Sequence, residues 1–381
     1  MNCRRQLFGL GLTLLLGVPL SAQTLKYPET KKVDVVEDYH GTRVPDPFRW
    51  LEDQNGVETA IWVKAQNDVT FPYLNALPER EKVRKRLTEL WNYPRYGTPF
   101  TEGGQYFFYK NSGLQNQSVL FVQKTLNDSA RVLLDPNTLS TDGTVALSTI
   151  AVSKDGKLLA YSTATSGSDW REFFVRDIAT GKDLLDHVKW GKFTGINWTN
   201  DSRGFLYSRY PEPKEADKLK AALSNQMLHY HRLGTPQSQD RLIYSRPDQP
   251  SWFVGGDITE DGRYLLIYIS ENTDPKNRLY YIDLRDPANP NLAGDVVKLI
   301  DNNEYGYTVL GNDGPVFYVQ TNNGAPREKV IAIDTRNPAP SNWKTVIPES
   351  EDVLQFASLA GGRFFASYLK DAQSRVRMFA L

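Results

Sequence analysis

Cysteine is almost absent: Cys3 is the only one in 381 residues, and it stands at the very start. An internal disulfide framework and a thiolate metal site are both excluded. An excess of one charge is missing too. Lysine plus arginine and aspartate plus glutamate number 45 each, so no net field draws the chain to nucleic acid or an anionic membrane. No apolar run is long: the best, Leu7 to Leu16 with its flanks, has roughly 14 apolar residues against the ~20 a bilayer span needs. Histidine is scarce, with four in all. No Gly-x-Ser-x-Gly occurs, so the strained strand–helix turn that presents a catalytic serine is not encoded here.

What is abundant is aromatic. Tyrosine, phenylalanine and tryptophan make up 12% of the chain, alongside 27 Gly and 22 Pro. Aromatic strands punctuated by turn formers point to an all-β fold. The first residues differ. Arg4 and Arg5 precede the apolar run, and Leu20-Ser21-Ala22 offers a small residue for cleavage, so residues 1–22 are expected to be a signal peptide. The expected destination is periplasm or medium, with no membrane attachment after cleavage.

Residues 23–90 carry helical signals. Asn55-Gly56 opens a segment with Ile61, Trp62, Ala65 and Val69 along one side. Pro78 opens a second helix with Val83, Leu87, Leu90 and Trp91 on one face and Glu81 placed to pair with Lys85.

From residue 91 to 381 the period becomes strand-like and repeats. An acidic or glycine turn precedes an aromatic strand at Gly104, Gly156, Gly204, Gly262, Gly314 and Gly362. A spacing of about 50 residues, with room for four short strands each, is the signature of β-propeller blades. Hairpins of a large sandwich are the other reading. The sixth unit is expected to begin near Ala357, and Val376–Leu381 reads as a strand cut short, giving an incomplete propeller of about six blades.

An ordered series of segments resembles the prolyl oligopeptidase family. It runs from Tyr27-Pro28-Glu29-Thr30 and Asp46-Pro47-Phe48-Arg49-Trp50-Leu51-Glu52-Asp53 through Asn111-Ser112-Gly113-Leu114-Gln115-Asn116-Gln117. It continues through Leu134-Asp135-Pro136-Asn137 and Ser166-Gly167-Ser168-Asp169-Trp170 to Asn277-Arg278-Leu279-Tyr280-Tyr281. The resemblance implies a seven-bladed propeller inserted after a helical arm that belongs to an α/β-hydrolase domain. It implies a serine endopeptidase that cleaves short peptides after proline, with the propeller gating access and no cofactor. The family's Ser, Asp and His follow the propeller, so no catalytic residue is assigned and the chain alone is expected to be inactive. A stand-alone binding propeller, or one half of an enzyme split over two chains, are the competing readings.

Three positions carry over as substrate-binding candidates. Asp169 matches an acidic residue facing the peptidase domain. Phe193 matches an aromatic of an apolar subsite for the residue two before the cleaved proline. Ile243 stands where the family places a cysteine in that subsite. Among the histidines, His40 is expected to pack or hydrogen-bond locally and His187 to be exposed. His229 and His231, two apart, share a strand face at ligand-like spacing, but no third ligand is evident and no metal site is assigned.

Overall fold

The computed structural model describes residues 25–54, 56–214 and 223–381. The expected signal peptide, residues 1–22, lies outside them. The chain divides into two compact units between Trp91 and Asn92.

In the first unit, β1 (Val36–Tyr39) and β2 (Thr42–Pro45) form a hairpin, followed by α1 (Val57–Asn75) and α2 (Arg80–Trp91). His40 sits exposed in the hairpin turn with φ +55° rather than packing. Trp62 donates from Nε1 to Thr30 Oγ1 at 3.0 Å, which ties the extended lead-in to α1. Ala65 and Val69 share its half-buried side, but Ile61 is exposed. The reason is angular: at 3.6 residues per turn Ile61 points about 100° from Trp62. Glu81 pairs with Arg84 at 2.6 Å rather than with Lys85, because the guanidinium fork matches a carboxylate geometrically. Val83, Leu87 and Leu90 lie exposed on α2 as a ready-made apolar stripe.

The second unit is a row of antiparallel sheets. The first blade holds β3 (Arg95–Tyr96), β4 (Phe100–Glu102), β5 (Gln105–Asn111), β6 (Val119–Gln123) and β7 (Arg131–Leu134). The second holds β8 (Val145–Val152), β9 (Leu158–Thr165), β10 (Arg171–Asp177) and β11 (Asp183–Gly191). The third holds β12 (Asn197–Trp198), β13 (Gly204–Arg209), β14 (Met227–Arg232) and β15 (Arg241–Ser245). The fourth holds β16 (Phe253–Ile258), β17 (Tyr264–Ser270), β18 (Arg278–Asp283) and β19 (Val297–Ile300). The fifth holds β20 (Tyr307–Asp313), β21 (Val316–Thr321), β22 (Lys329–Asp334) and β23 (Lys344–Ile347). The sixth holds β24 (Val353–Ala360), β25 (Arg363–Lys370) and β26 (Gln373–Ala380). The sixth blade thus begins at Val353, not Ala357. β26 pairs along the whole of β25, and the sheet has three strands among the described residues.

Alternation along each strand serves two interfaces at once. Leu265, Ile267 and Ile269 of β17, with Val254 of β16, pack toward Leu206 and Leu228 of the third blade. Tyr264 and Leu266 turn the other way, against Phe317, Val319 and Ile331 of the fifth. Phe107, Leu120 and Leu159 fill the first interface, Phe173, Trp198 and Phe205 the second, and Leu354, Phe364 and Tyr368 the last. A one-residue slip in any such strand would exchange the two faces, so its register is doubly specified.

The turns that mark the repeat share one chemistry. Ser153, Thr199 and Thr259 hydroxyls donate to Asp155, Asp201 and Asp261 at 2.6–2.7 Å. Those carboxylates then accept the backbone N–H of Lys157, Arg203 and Arg263 at 3.1 Å. Gly156 and Gly262 supply the left-handed residue of the turn. In the third blade Ser202 does so instead, at φ +57°. Gly204 is needed for another reason: a Cβ there would lie 2.2 Å from the His231 carbonyl oxygen.

Candidate functional site

The inner strands surround a cavity of about 390 Å³ lined from five blades by Glu102, Lys154, Trp198, Asp257, Glu260 and Gly311 among others. One end is drawn together by the turns. Gln105 Nε2 donates to the Gly156 carbonyl at 2.7 Å, Asn200 Nδ2 to the Glu260 carbonyl at 3.0 Å, and Asn312 Nδ2 to Asp261 Oδ2 at 2.8 Å. Lys154 clasps three blades, with Nζ 3.0 Å from Glu260 Oε2 and 3.6 Å from Glu102 Oε2. Burial opposes its charge, but the two glutamates outweigh burial and raise its pKa. Asp257 lies in the same channel. Water reaches it, yet the crowding of protein around it raises its carboxyl pKa.

The other end of the blades is aromatic. β12 is only two residues long, whereas β8 and β24 have eight. The chain that would lengthen it, residues 192–196, stays outside any strand instead. β11 meets β13 at Gly191 and Arg209, which merges the second and third blades into one eight-stranded sheet. Gly191 permits this approach, since a Cβ would come 2.3 Å from the Phe173 ring. Trp190 and Phe193 both adopt left-handed backbone, at φ +67° and +52°. For bulky residues this stores about 1–3 kcal/mol of strain each, so the surroundings must enforce it.

They do. Tyr210 N–H donates to the Trp190 carbonyl at 3.1 Å, Gln226 Nε2 to Lys192 O at 3.0 Å, and Arg171 Nη1 to Thr194 O at 2.6 Å. Phe193 is left 53% exposed, its ring 5.9 Å from that of Phe253. Lys192 Nζ lies 5.2 Å from the Trp170 ring, 5.4 Å from the Phe193 ring and 3.7 Å from Asp169 Oδ2. Trp170 also meets Trp190 and Tyr210 edge-on near 6 Å. Burial alone pushes the Tyr210 hydroxyl up to about 12. The result is an exposed apolar shelf beside one cation and one carboxylate.

Two of the three sequence candidates, Asp169 and Phe193, therefore meet through Lys192. Ile243 sits in β15 at a bulge and packs against the core between the third and fourth blades. Lys192, Phe253, Trp170 and Gln226 were not singled out from sequence; the pair of glycines flanking Phe193, Gly191 and Gly195, was the available signal. Ser168 Oγ accepts the Trp170 N–H at 3.1 Å, a bond local to the loop that carries Asp169.

The histidine pair resolves differently from a ligand pair. His231 is fully buried, with Nδ1 2.7 Å from Asp240 and Nε2 3.1 Å from Asp186. Tyr207 donates to the second oxygen of Asp240 at 2.6 Å. Burial disfavours charge on His231, but the two carboxylates outweigh it and raise its pKa. Burial lowers that of His229. His187 is exposed, bonded to Glu172 at 2.7 Å and stacked on Phe174. Among the described residues no group of three His, Cys, Asp or Glu is placed to hold a metal ion.

Residues 27–381 match the family described as prolyl oligopeptidase, N-terminal beta-propeller domain. The chain belongs to this family. The prolyl endopeptidase of Elizabethkingia miricola is 37% identical over 94% of the chain, and that of Elizabethkingia meningoseptica 38% over 94%. A solved structure of prolyl oligopeptidase B from Galerina marginata, bound to a 35mer hydrolysis and macrocyclization substrate, superposes with a TM-score of 0.84 at 31% identity. It covers 93% of this chain and 52% of its own. The chain spans about half the length of the curated relatives it matches, 50% of each Elizabethkingia enzyme. The family resemblance and the β-propeller expected from the repeat are both as anticipated.

Proposed function

We propose that this chain is the access-controlling and substrate-sorting part of a prolyl-oligopeptidase-type serine endopeptidase acting on short proline-containing peptides. The chemistry itself falls to a peptidase portion that carries the serine, aspartate and histidine. The observation that carries the reading is the shelf of Phe193 and Phe253 beside Lys192 and Asp169, at the end of the blades opposite the clasped turns. An aromatic pair of this kind accepts an apolar side chain two residues before the cleaved proline, while Asp169, exposed beside Lys192, can also meet a cation of the peptidase portion. The Lys154 clasp narrows the other end of the channel, so extended short peptides pass and folded proteins do not.

The match over residues 27–381 supports this reading, as does the naming of relatives as prolyl endopeptidases. Export is part of the proposal, with a mature N-terminus near Gln23; N-terminal sequencing of periplasmic material that finds Met1 retained contradicts it. The function is tested by fusing the chain to the peptidase portion of the Elizabethkingia miricola enzyme. Cleavage after proline in short peptides but not in a folded protein is expected, with Phe193→Ala reducing the preference for an aromatic residue at that subsite. A fusion that folds but cleaves nothing, while the chain alone binds peptides, favours an independent binding propeller.

A further inference from the structure

The shelf depends on two aromatic rings from different blades being held at one spacing, and one buried side chain joins the two segments that carry them. Gln226 is 3% exposed. Its Nε2 donates to the carbonyl of Lys192, the residue before Phe193, at 3.0 Å. Its Oε1 accepts the N–H of Val254, the residue after Phe253, at 2.8 Å. An amide is the side chain that can donate to one strand and accept from another at once. Ser208 completes the bracket: its Oγ donates to Val254 O at 2.6 Å, and its N–H donates to Thr194 Oγ1 at 2.7 Å.

We propose that Gln226 is the positioning residue of this subsite, fixing the Phe193–Phe253 separation and through it the preference for a flat apolar side chain. The left-handed backbone of Phe193 gives this weight, because a residue at φ +52° reverts to a commoner conformation once its neighbour's carbonyl is released. Gln226 touches no ligand in this scheme; it acts by holding Lys192 and Val254. The proposal rests on the functional reading above, and its test separates the two.

The chain is labelled with 4-fluorophenylalanine, and the Phe193 resonance is assigned with Phe193→Leu. Gln226→Glu keeps an acceptor for Val254 but loses the donor to Lys192; Gln226→Met is similar in length and loses both. In either variant with a native melt, the Phe193 resonance is expected to move and broaden. The second readout is binding of blocked Phe-Gly-Pro against blocked Gly-Gly-Pro. Roughly tenfold preference for the aromatic peptide is expected in the wild type, as partial burial of one ring gives, and near-equal binding in the variants. Affinity for Gly-Gly-Pro stays unchanged, which a general loss of structure would not allow. An unmoved Phe193 resonance and an intact preference in a folded Gln226 variant overturn the proposal. A wild type without aromatic preference, or one that Phe193→Ala leaves unaltered, overturns the functional reading, and the resonance still decides the role of Gln226.

Discussion

At the scale of single residues, the buried Asp186–His231–Asp240 row makes the sharpest demand on pH. The raised pKa of His231 places its folded value above the ordinary 6.5. Stabilisation is therefore complete below about 6.5 and is lost as pH rises through the folded value. Asp186, Asp240 and, through Asp240, Tyr207 are the groups that face it. Thermal unfolding of the wild type is expected to weaken across that window, whereas His231→Gln should show a flat profile there. The variant should also lose about 3–5 kcal/mol near pH 6, because two buried carboxylates then lack their cation. A wild-type melting temperature that rises with pH across the window contradicts this. Little of the row was legible beforehand. The spacing of His229 and His231 on one strand face was visible, but the partners of His231 come from β11 and from the chain just before β15, 45 and 9 residues away. Phe193 was visible through its resemblance to a family position, yet its setting depends on Gly191 meeting Phe173 and on Gln226, contacts that no local pattern announces.

At the scale of elements, strand alternation decided the fold and was readable in advance. Leu265 and Leu266 are neighbours that serve opposite interfaces. Phe317, buried where the fourth and fifth blades meet, should cost about 3–5 kcal/mol on replacement by alanine. Leu185 on β11 is fully exposed, and its replacement should leave the denaturant midpoint unchanged. The turns follow the same logic, but their convergence did not show in sequence, since Glu102, Lys154 and Glu260 are separated by about 50 and 100 residues. Exposed or half-exposed ion pairs contribute at most about 1 kcal/mol, so Lys154→Met should barely change stability. Its effect should appear in access: hydrogen exchange at Gly156 and Gly262 is expected to quicken, and the fusion should cleave longer peptides faster. Unchanged exchange and unchanged length selectivity would remove the clasp from the account.

At the scale of the whole molecule, the sixth blade leaves Phe356, Val376 and Met378 exposed on one sheet face. Burying each is worth roughly 1.5–3 kcal/mol, comparable in sum with the ~5–15 kcal/mol net stability of a domain. The purified chain is expected to self-associate at micromolar concentration. Val376→Lys with Met378→Lys should raise the monomer fraction seen by sedimentation velocity, and a monomeric wild type contradicts this. The central claim is that this chain shapes and sorts substrate while the bond-breaking residues lie elsewhere. Its most direct test is hydrolysis of a Gly-Pro chromogenic substrate by the purified chain and by its fusion to a peptidase portion. The account predicts no turnover by the chain alone and turnover by the fusion. Turnover by the chain alone that a serine-directed phosphonate abolishes would contradict it.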